Sequence, residues 1–500
     1  MAKLILAVDQ STSGTKALLF ETGGRLLHRC SVPHRQIYPQ AGWVEHDAEE
    51  IYRNTLTALR QLLEQAKSDT DQLLCLSLTN QRETFVVFEA ATGRPLHNAI
   101  VWQCRRGEPI CRELTEAGHD ELIRHRTGLK IDSYFSGSKI AWLIRNRPDL
   151  AAMLADGRAL VGTIDAYLIY RLTGGQVFAT EATNACRTLL YDIHRLQWDD
   201  QLCGMFGVPM RALPTVRSSS DAFGRTDLEG LLSRPLEIRG AMGDSQAALF
   251  AQRCFRAGQA KVTFGTGSSV LVNAGSRAPA DAGGIVATLA WVLDGQPTYA
   301  LEGIINCTGA IIAWLKDQLG LIEDSAATEA LAAQVSDNGG VYLVPAFVGM
   351  GAPYWKQDTR AAIVGLSQQA GRCHVVRAAL EAIGYQVRDV LDAVAAQAGV
   401  KLSQVRADGG MTANRLLMQF VADMTGLTVS ASDVAELSAL GAVLAGALGA
   451  GVYKSLDQLE LLDLGSVDYR PRMDEPTRQR NYEGWQRAVA MVLAAPATNQ

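Results

Sequence analysis

At 500 residues the chain has room for about three average globular units, or two large ones, each with a real hydrophobic core. Hydrophobic residues make up 48% and charged ones 20%, which excludes a disordered or fibrous chain. The 47 basic and 52 acidic residues leave a net charge of −5, which favours neither nucleic acid nor an anionic membrane as partner. Nine scattered cysteines, with no Cys-x-x-Cys among them, argue against a disulfide framework or a zinc site. The opening MAKLILAVDQ reaches Asp9 too early for a signal-peptide apolar run, so a cytoplasmic protein is expected.

In chain order, KLILAVD, KALLFE and RLLHRCSV read as strands, with QSTSGT as the first turn. A helix follows, capped by Asp47 and running to about Ala66. The strand LLCLSLT leads into the polar NQRE, then a hairpin FVVFEAATGRPL, then mostly helices to about Arg171. A second β-rich unit starts near residue 238, where IRGAM runs through GDSQ into an apolar helix. KVTFGTGSSVLVN follows, then two strands, VATLAWVLD and TYALEGI, around a Gly-Gln turn. Next come the helix CTGAIIAWLKDQL, the strand VYLVPAF, a long helix from His374 to about Gln397, and VRA leading into DGGMTAN and another helix. The uncharged stretch Leu437–Tyr453 is too short for a bilayer span and too rich in Gly and Ala, and reads as a tightly packed buried helix. The tail after about Ala494 is expected to fray. The pattern predicts two α/β domains, residues 1–245 and 246–500, with the site in the cleft between them.

Three turns carry a phosphate-binding composition. In Asp9-Gln10-Ser11-Thr12-Ser13-Gly14-Thr15-Lys16 an aspartate leaves a strand, small residues admit phosphate oxygens to backbone N–H groups, and a lysine adds charge. Thr263-Phe264-Gly265-Thr266-Gly267-Ser268 and Asp408-Gly409-Gly410 with Asn414 are the other two. Any one alone reads more simply as an ordinary hairpin or strand-to-helix turn; three in one chain point toward a nucleotide. The chain has no Gly-Lys dipeptide and no Gly-x-Gly-x-x-Gly, so neither a Walker A loop nor a Rossmann fingerprint is present. Asn80-Gln81-Arg82-Glu83, Gly243-Asp244-Ser245-Gln246 and the run around Trp102 offer polar groups and an aromatic wall for a hydroxylated substrate; a surface ion pair, an N-cap and a core tryptophan are the alternatives.

These segments, with YPQAGWVEHD, TGLKIDSYFSGSKIAWL, TNACRTLLYDIH, VPAFVGMGAPYW and NYEGW, resemble the FGGY family of carbohydrate kinases, and within it the branch that phosphorylates glycerol. The resemblance spans nearly the whole chain. It implies two domains of the actin-like, ribonuclease-H-like type, each a mixed sheet flanked by helices, with a catalytic cleft between them. It also implies ATP-dependent, Mg²⁺-dependent phosphorylation of glycerol to sn-glycerol 3-phosphate. Arg82, Glu83, Tyr134, Asp244 and Ser245 would meet the substrate, Trp102 would cover its carbon chain, and Asp244 would be the base. Asp9 would hold Mg²⁺ through water; Thr12, Ser13, Gly14, Lys16, Thr266, Gly309, Gly410 and Asn414 would form the nucleotide site. A homo-oligomer, dimer or tetramer, is expected, with no nucleic-acid or membrane partner. Ser245 and Ser269 depart from the Gln and Phe usual in this branch, which keeps a larger polyol or a ketose open as substrate; Ala313 stands where Gln is usual. A non-catalytic actin-like ATP sensor is the alternative of another class.

Overall fold

The computed structural model describes residues 3–66, 70–279, 285–356 and 358–494; the tail expected to fray lies outside them. The first domain is built on β1 (Leu4–Gln10), β2 (Gly14–Glu21), β3 (Leu26–Pro33), α1 (Ala48–Ala66), β4 (Leu73–Asn80), β5 (Ala222–Thr226) and β6 (Leu236–Gly243). Its sheet order is β5-β6-β4-β1-β2-β3, with β1, β4 and β6 parallel and the rest antiparallel. Every residue of β1 is buried, because both faces of the sheet are covered. Leu4, Leu6 and Val8 face the core with α1, whereas Ile5 and Ala7 face the other domain, the alternation a strand imposes. Asp47 caps α1 as expected, its Oδ1 accepting the N–H groups of Glu49 at 2.9 Å and Glu50 at 3.1 Å.

A smaller sheet, with helices around it, joins Glu45–His46, which precede α1, to Ala99–Ile100, Phe85–Glu89 and Ala159–Thr163, which follow β4. The hairpin expected in FVVFEAATGRPL forms only in part. Phe88 bridges to Pro95, but the full-length partner of Phe85–Glu89 is the distant Ala159–Thr163. The return arm is short: Glu89 N–H donates to Arg94 O at 2.9 Å and Leu96 N–H to Val87 O at 2.9 Å.

Helix α2 (Asp244–Ala251) follows β6, and the second domain's sheet begins with β7 (Gln259–Phe264), β8 (Ser268–Gly275), β9 (Val286–Leu293) and β10 (Gln296–Ile305). The domain continues with α3 (Gly309–Asp317), α4 (Arg372–Ala398), β11 (Gln404–Asp408), α5 (Arg415–Thr425), β12 (Val429–Ser432), α6 (Leu437–Gly449) and β13 (Ser466–Tyr469). The sheet order is β9-β10-β8-β7-β11-β12-β13. The turn between β9 and β10 falls one residue earlier than the expected Gly-Gln. Leu293 pairs with Gln296, leaving Asp294 and Gly295 as a two-residue loop with φ of 49° and 73°. Positive φ at both positions is the turn that matches strand twist.

Helices α2 and α6 stand between the two sheets, sharing one core with Ile5, Leu18, Phe20 and Met242 of the first and Leu271 and Trp291 of the second. The uncharged stretch is this α6, packed almost backbone to backbone. A β-carbon on Gly441 would overlap the carbonyl of Ala247, and one on Gly449 that of Ser220. Among the described residues no helix is long and apolar enough to cross a membrane.

Candidate active site

Register brings the polar strand ends together. Asp9 pairs with Thr79 and Gly243 with Asn80, so the Ser11–Gly14 turn, Arg82–Glu83 and Asp244 all leave the carboxyl ends of adjacent parallel strands. Ligands of open α/β sheets bind at that edge. In the second sheet Thr263 pairs with Asp408, which sets the Gly265–Gly267 turn beside Gly409 and Gly410. A cavity of about 860 Å³ lies between, lined by Asp9, Lys16, Asp244, Ser245, Asp408 and Gly410 among others. A second, of about 620 Å³, shares Gly410 and is lined by Gly309, Ala313 and Asn414.

Asp9 is buried, and burial pushes its carboxyl up to about 6 even though Lys16 lies 3.3 Å away. Lys16 also pairs with Glu436 at 2.6 Å, and Glu436 with Arg29 at 2.8 Å. Glu436 has φ of 62° and directly precedes α6, so this carboxylate ties the second domain to β2 and β3 of the first.

A buried charge network stands behind Asp244. Arg82 pairs through Nη2 with Glu302 Oε1 at 2.9 Å and through Nε with Asp244 Oδ1 at 3.1 Å, and Nη1 donates to Gln246 Oε1 at 3.2 Å. Arg187 pairs with Glu83 at 2.6 Å and with Glu302 at 2.7 Å. Burial alone would raise Glu302, but Arg187 and Arg82 overcome it and bring the carboxyl down to about 2. Glu83 sits at φ 62°, a conformation non-glycine residues seldom hold without surrounding constraint. Asp244 itself is the first residue of α2, with its side chain 41% exposed to the cavity side.

Trp102 and Tyr134 pack edge to face at 5.4 Å, and Trp102 Nε1 donates to Thr12 Oγ1 at 2.9 Å. The turn carrying Tyr134 is clamped by the fully buried Lys139, whose Nζ donates to the carbonyls of Ser133 (2.5 Å), Tyr134 (2.7 Å) and Phe135 (3.0 Å). Burial lowers this lysine to about 8.

Beside the smaller cavity Gly309 starts α3 with its N–H donating to Gly265 O at 2.9 Å; a β-carbon there would sit 2.6 Å from the same oxygen. The N–H of Ala310 likewise goes to Thr266 O at 3.0 Å. These amides at the start of α3 are engaged by turn carbonyls, and what the turn presents outward is the exposed Thr266. Asn414 caps α5, accepting from Leu417 N–H at 2.9 Å and donating to Thr328 Oγ1 at 3.1 Å, while lining the smaller cavity.

Residues 4–251 match the N-terminal domain, and residues 260–450 the C-terminal domain, of the FGGY family of carbohydrate kinases. The chain belongs to this family. It is 46% identical to glycerol kinase 1 of Thermotoga maritima, over 98% of this chain and 99% of that protein. It is also 46% identical to the glycerol kinase of Symbiobacterium thermophilum, over 97% of each. The crystal structure of Plasmodium falciparum glycerol kinase with ADP superposes with a TM-score of 0.94, at 34% identity and 99% coverage of both chains.

In this FGGY kinase the structure brings Asp9, Lys16, Asp244, Ser245 and Gly410 onto one cavity and Gly309, Gly410 and Asn414 onto the next. Arg82 adjoins Asp244 by its ion pair, and Glu83 sits beside Arg82 within 4.0 Å. Thr12, Ser13, Gly14 and Thr266 are not among the lining residues of either cavity. Thr12 is tied to Trp102, Ser13 is exposed, and Gly14 begins β2, where a β-carbon would lie 2.9 Å from Val32 O. Ser269, the departure from the usual Phe that keeps a larger substrate open, donates its hydroxyl to Glu302 Oε1 at 3.3 Å. Arg187 and Glu302, the inner pair of the network, are not among the site residues expected above. The signal was present: each is the lone charge in an otherwise uncharged run, TNACRTLL and TYALEGII.

Proposed function

We propose that this FGGY kinase transfers the γ-phosphoryl group of ATP to a terminal hydroxyl of glycerol, forming sn-glycerol 3-phosphate. The observation that carries the mechanism is Asp244, a half-exposed carboxylate at the cavity wall held by the buried Arg82. The names of the relatives support the choice of glycerol. Arg82 Nε and the N–H of Ser245 both engage Asp244 Oδ1, so Oδ2 is the oxygen left to receive a proton. As the new oxygen–phosphorus bond forms, the hydroxyl proton passes to Asp244, the bond from γ-phosphorus to the bridging oxygen breaks, and ADP departs. Glu83 and Arg82 would fix the neighbouring hydroxyls, with Trp102 and Tyr134 as the apolar wall.

A magnesium ion fits this wall. Asp9 and Asp244 line the same cavity, while no group of three metal-ligating side chains exists among the described residues. Such a sparse donor set suits an ion whose remaining ligands are phosphate oxygens and water. Asp9 would hold it through water, and when bound it neutralises phosphate charge.

Initial rates of ADP release test the reading, with glycerol, dihydroxyacetone, erythritol, threitol, xylitol and xylulose each titrated. Glycerol is expected to lead in kcat/KM. A four- or five-carbon leader would replace the substrate and keep the chemistry, and no substrate-dependent ADP release would end the kinase reading. The bond from Ser269 to Glu302 favours glycerol, because that hydroxyl is already engaged.

Lys139 supplies a pH signature. Above about 8 its ammonium loses a proton and, with it, one of three donors on the turn that carries Tyr134. The KM for glycerol should therefore rise above this pH, and a flat KM across the alkaline range would refute the clamp. For folding the sign is opposite. An unfolded lysine titrates near 10.5, so between about 8 and 10.5 the unfolded chain binds more protons and the linked contribution stabilises the fold as pH rises.

A further inference from the structure

Lys261 lies in β7, is 0% exposed, and yet lines the cavity that holds Asp9 and Asp244. Its Nζ donates to Thr263 Oγ1 at 2.9 Å, and among the described residues no carboxylate forms an ion pair with it. Lys16, the cation contributed by the first sheet, is already neutralised by Asp9 and Glu436. The same cavity also carries Asp244, Asp408 and Asp433. Five carboxylates line it (Asp9, Asp244, Asp408, Asp433 and Glu436) against Lys16, Lys261 and Arg415, so a polyphosphate entering it needs every cation the wall offers. A buried ammonium held by a single hydroxyl is costly, whereas a methionine of similar length would fill the space without that cost. An anion that binds and leaves would compensate it.

We propose that Lys261 is a second phosphoryl-binding cation, meeting the γ-phosphate of ATP from the wall formed by the second sheet. The inference rests on the kinase reading above and adds to it a residue outside the three phosphate-type turns. Phosphoryl transfer spreads charge over the equatorial oxygens, and a fixed cation in a dry site stabilises that charge without reorganising. Burial lowers the lysine's pKa below its usual value, while Asp408 is the foremost group opposing that shift.

The test uses the full-length protein with Lys261→Met and Lys261→Arg, and Lys261→Gln in place of the first if it does not fold. Turnover with glycerol and ATP is measured. Binding of ADP and of β,γ-methylene-ATP is measured without polyol. Loss of the charge should lower kcat about 10²–10³-fold, leave the KM for glycerol and the affinity for ADP near those of the parent, and abolish any preference for the triphosphate over ADP. Lys261→Arg should recover part of both. A folded neutral variant that keeps the triphosphate preference and the turnover would overturn the proposal. So would equal losses for ADP and the triphosphate that arginine does not rescue, since that marks a purely structural role. A parent chain with no polyol-dependent ADP release would instead refute the kinase reading, while the binding comparison would still judge Lys261.

Discussion

In an Asp244→Asn variant, turnover is expected to fall about 10²–10⁴-fold while the fold and the affinity for ATP stay as they are. The asparagine amide oxygen can accept the Ser245 N–H and face Arg82 Nε as Oδ1 does now. What it cannot do is take a proton from an alcohol as the phosphorus–oxygen bond forms. The residue is half exposed, so no buried cavity or orphaned charge of consequence follows its loss. Initial rates together with a thermal melt separate the two effects. Turnover within about threefold of the parent would remove Asp244 from the role of base.

Glu302→Gln is expected to act on stability and substrate affinity together. Glu302 is buried and receives Arg82 at 2.9 and 3.3 Å, Arg187 at 2.7 Å and the Ser269 hydroxyl at 3.3 Å. With Glu83 it balances two guanidinium groups from within, and neutralising it leaves Glu83 as their one buried counter-charge and Arg82 leaning on the half-exposed Asp244. Breaking a buried pair by removing one partner typically costs about 3–5 kcal/mol. Arg82, no longer held from behind, is then drawn toward Glu83 and Asp244, which disturbs the groups meant for the polyol. Urea unfolding should show the lost stability, and the KM for glycerol should rise. Neutralising a cation in the same background, as in Glu302→Gln with Arg187→Met, should cost less than the sum of the two single changes. A single variant destabilised by less than about 1 kcal/mol would mean the network is not balanced as described.

Much of this was legible along the chain because it is local. Apolar runs interrupted by QSTSGT or GTG mark hairpins, Asp47 marks a helix start, and an uncharged Gly/Ala run marks a helix pressed against backbone. The three phosphate-type turns could be seen but not ranked, since loop composition does not reveal whether its amides are free. In the second of them the Gly265 N–H is taken by Gly267 O at 3.0 Å, and its carbonyls hold the amides at the start of α3. Pairings between distant segments left no local trace. Phe85–Glu89 pairs along its length with Ala159–Thr163 besides its own short hairpin arm, and Glu302 meets Arg82 and Arg187 across two domains. The substrate roles proposed for Trp102 and Tyr134 rest on family resemblance, and their composition alone suits a core equally well.

The position of α6 bears on how the protein is made. Ile5, Ala7, Leu18 and Phe20 project from the face of the first sheet that Leu440, Val443 and Leu444 cover. Those three belong to residues 437–449, so a ribosome releases the first sheet long before it releases the helix that covers it. During that interval the nascent chain carries an apolar surface with no partner, the state in which aggregation competes with folding. A fragment ending after α2 would keep that surface permanently bare, so the gene cannot be cut between its two family segments to give a well-behaved N-terminal half.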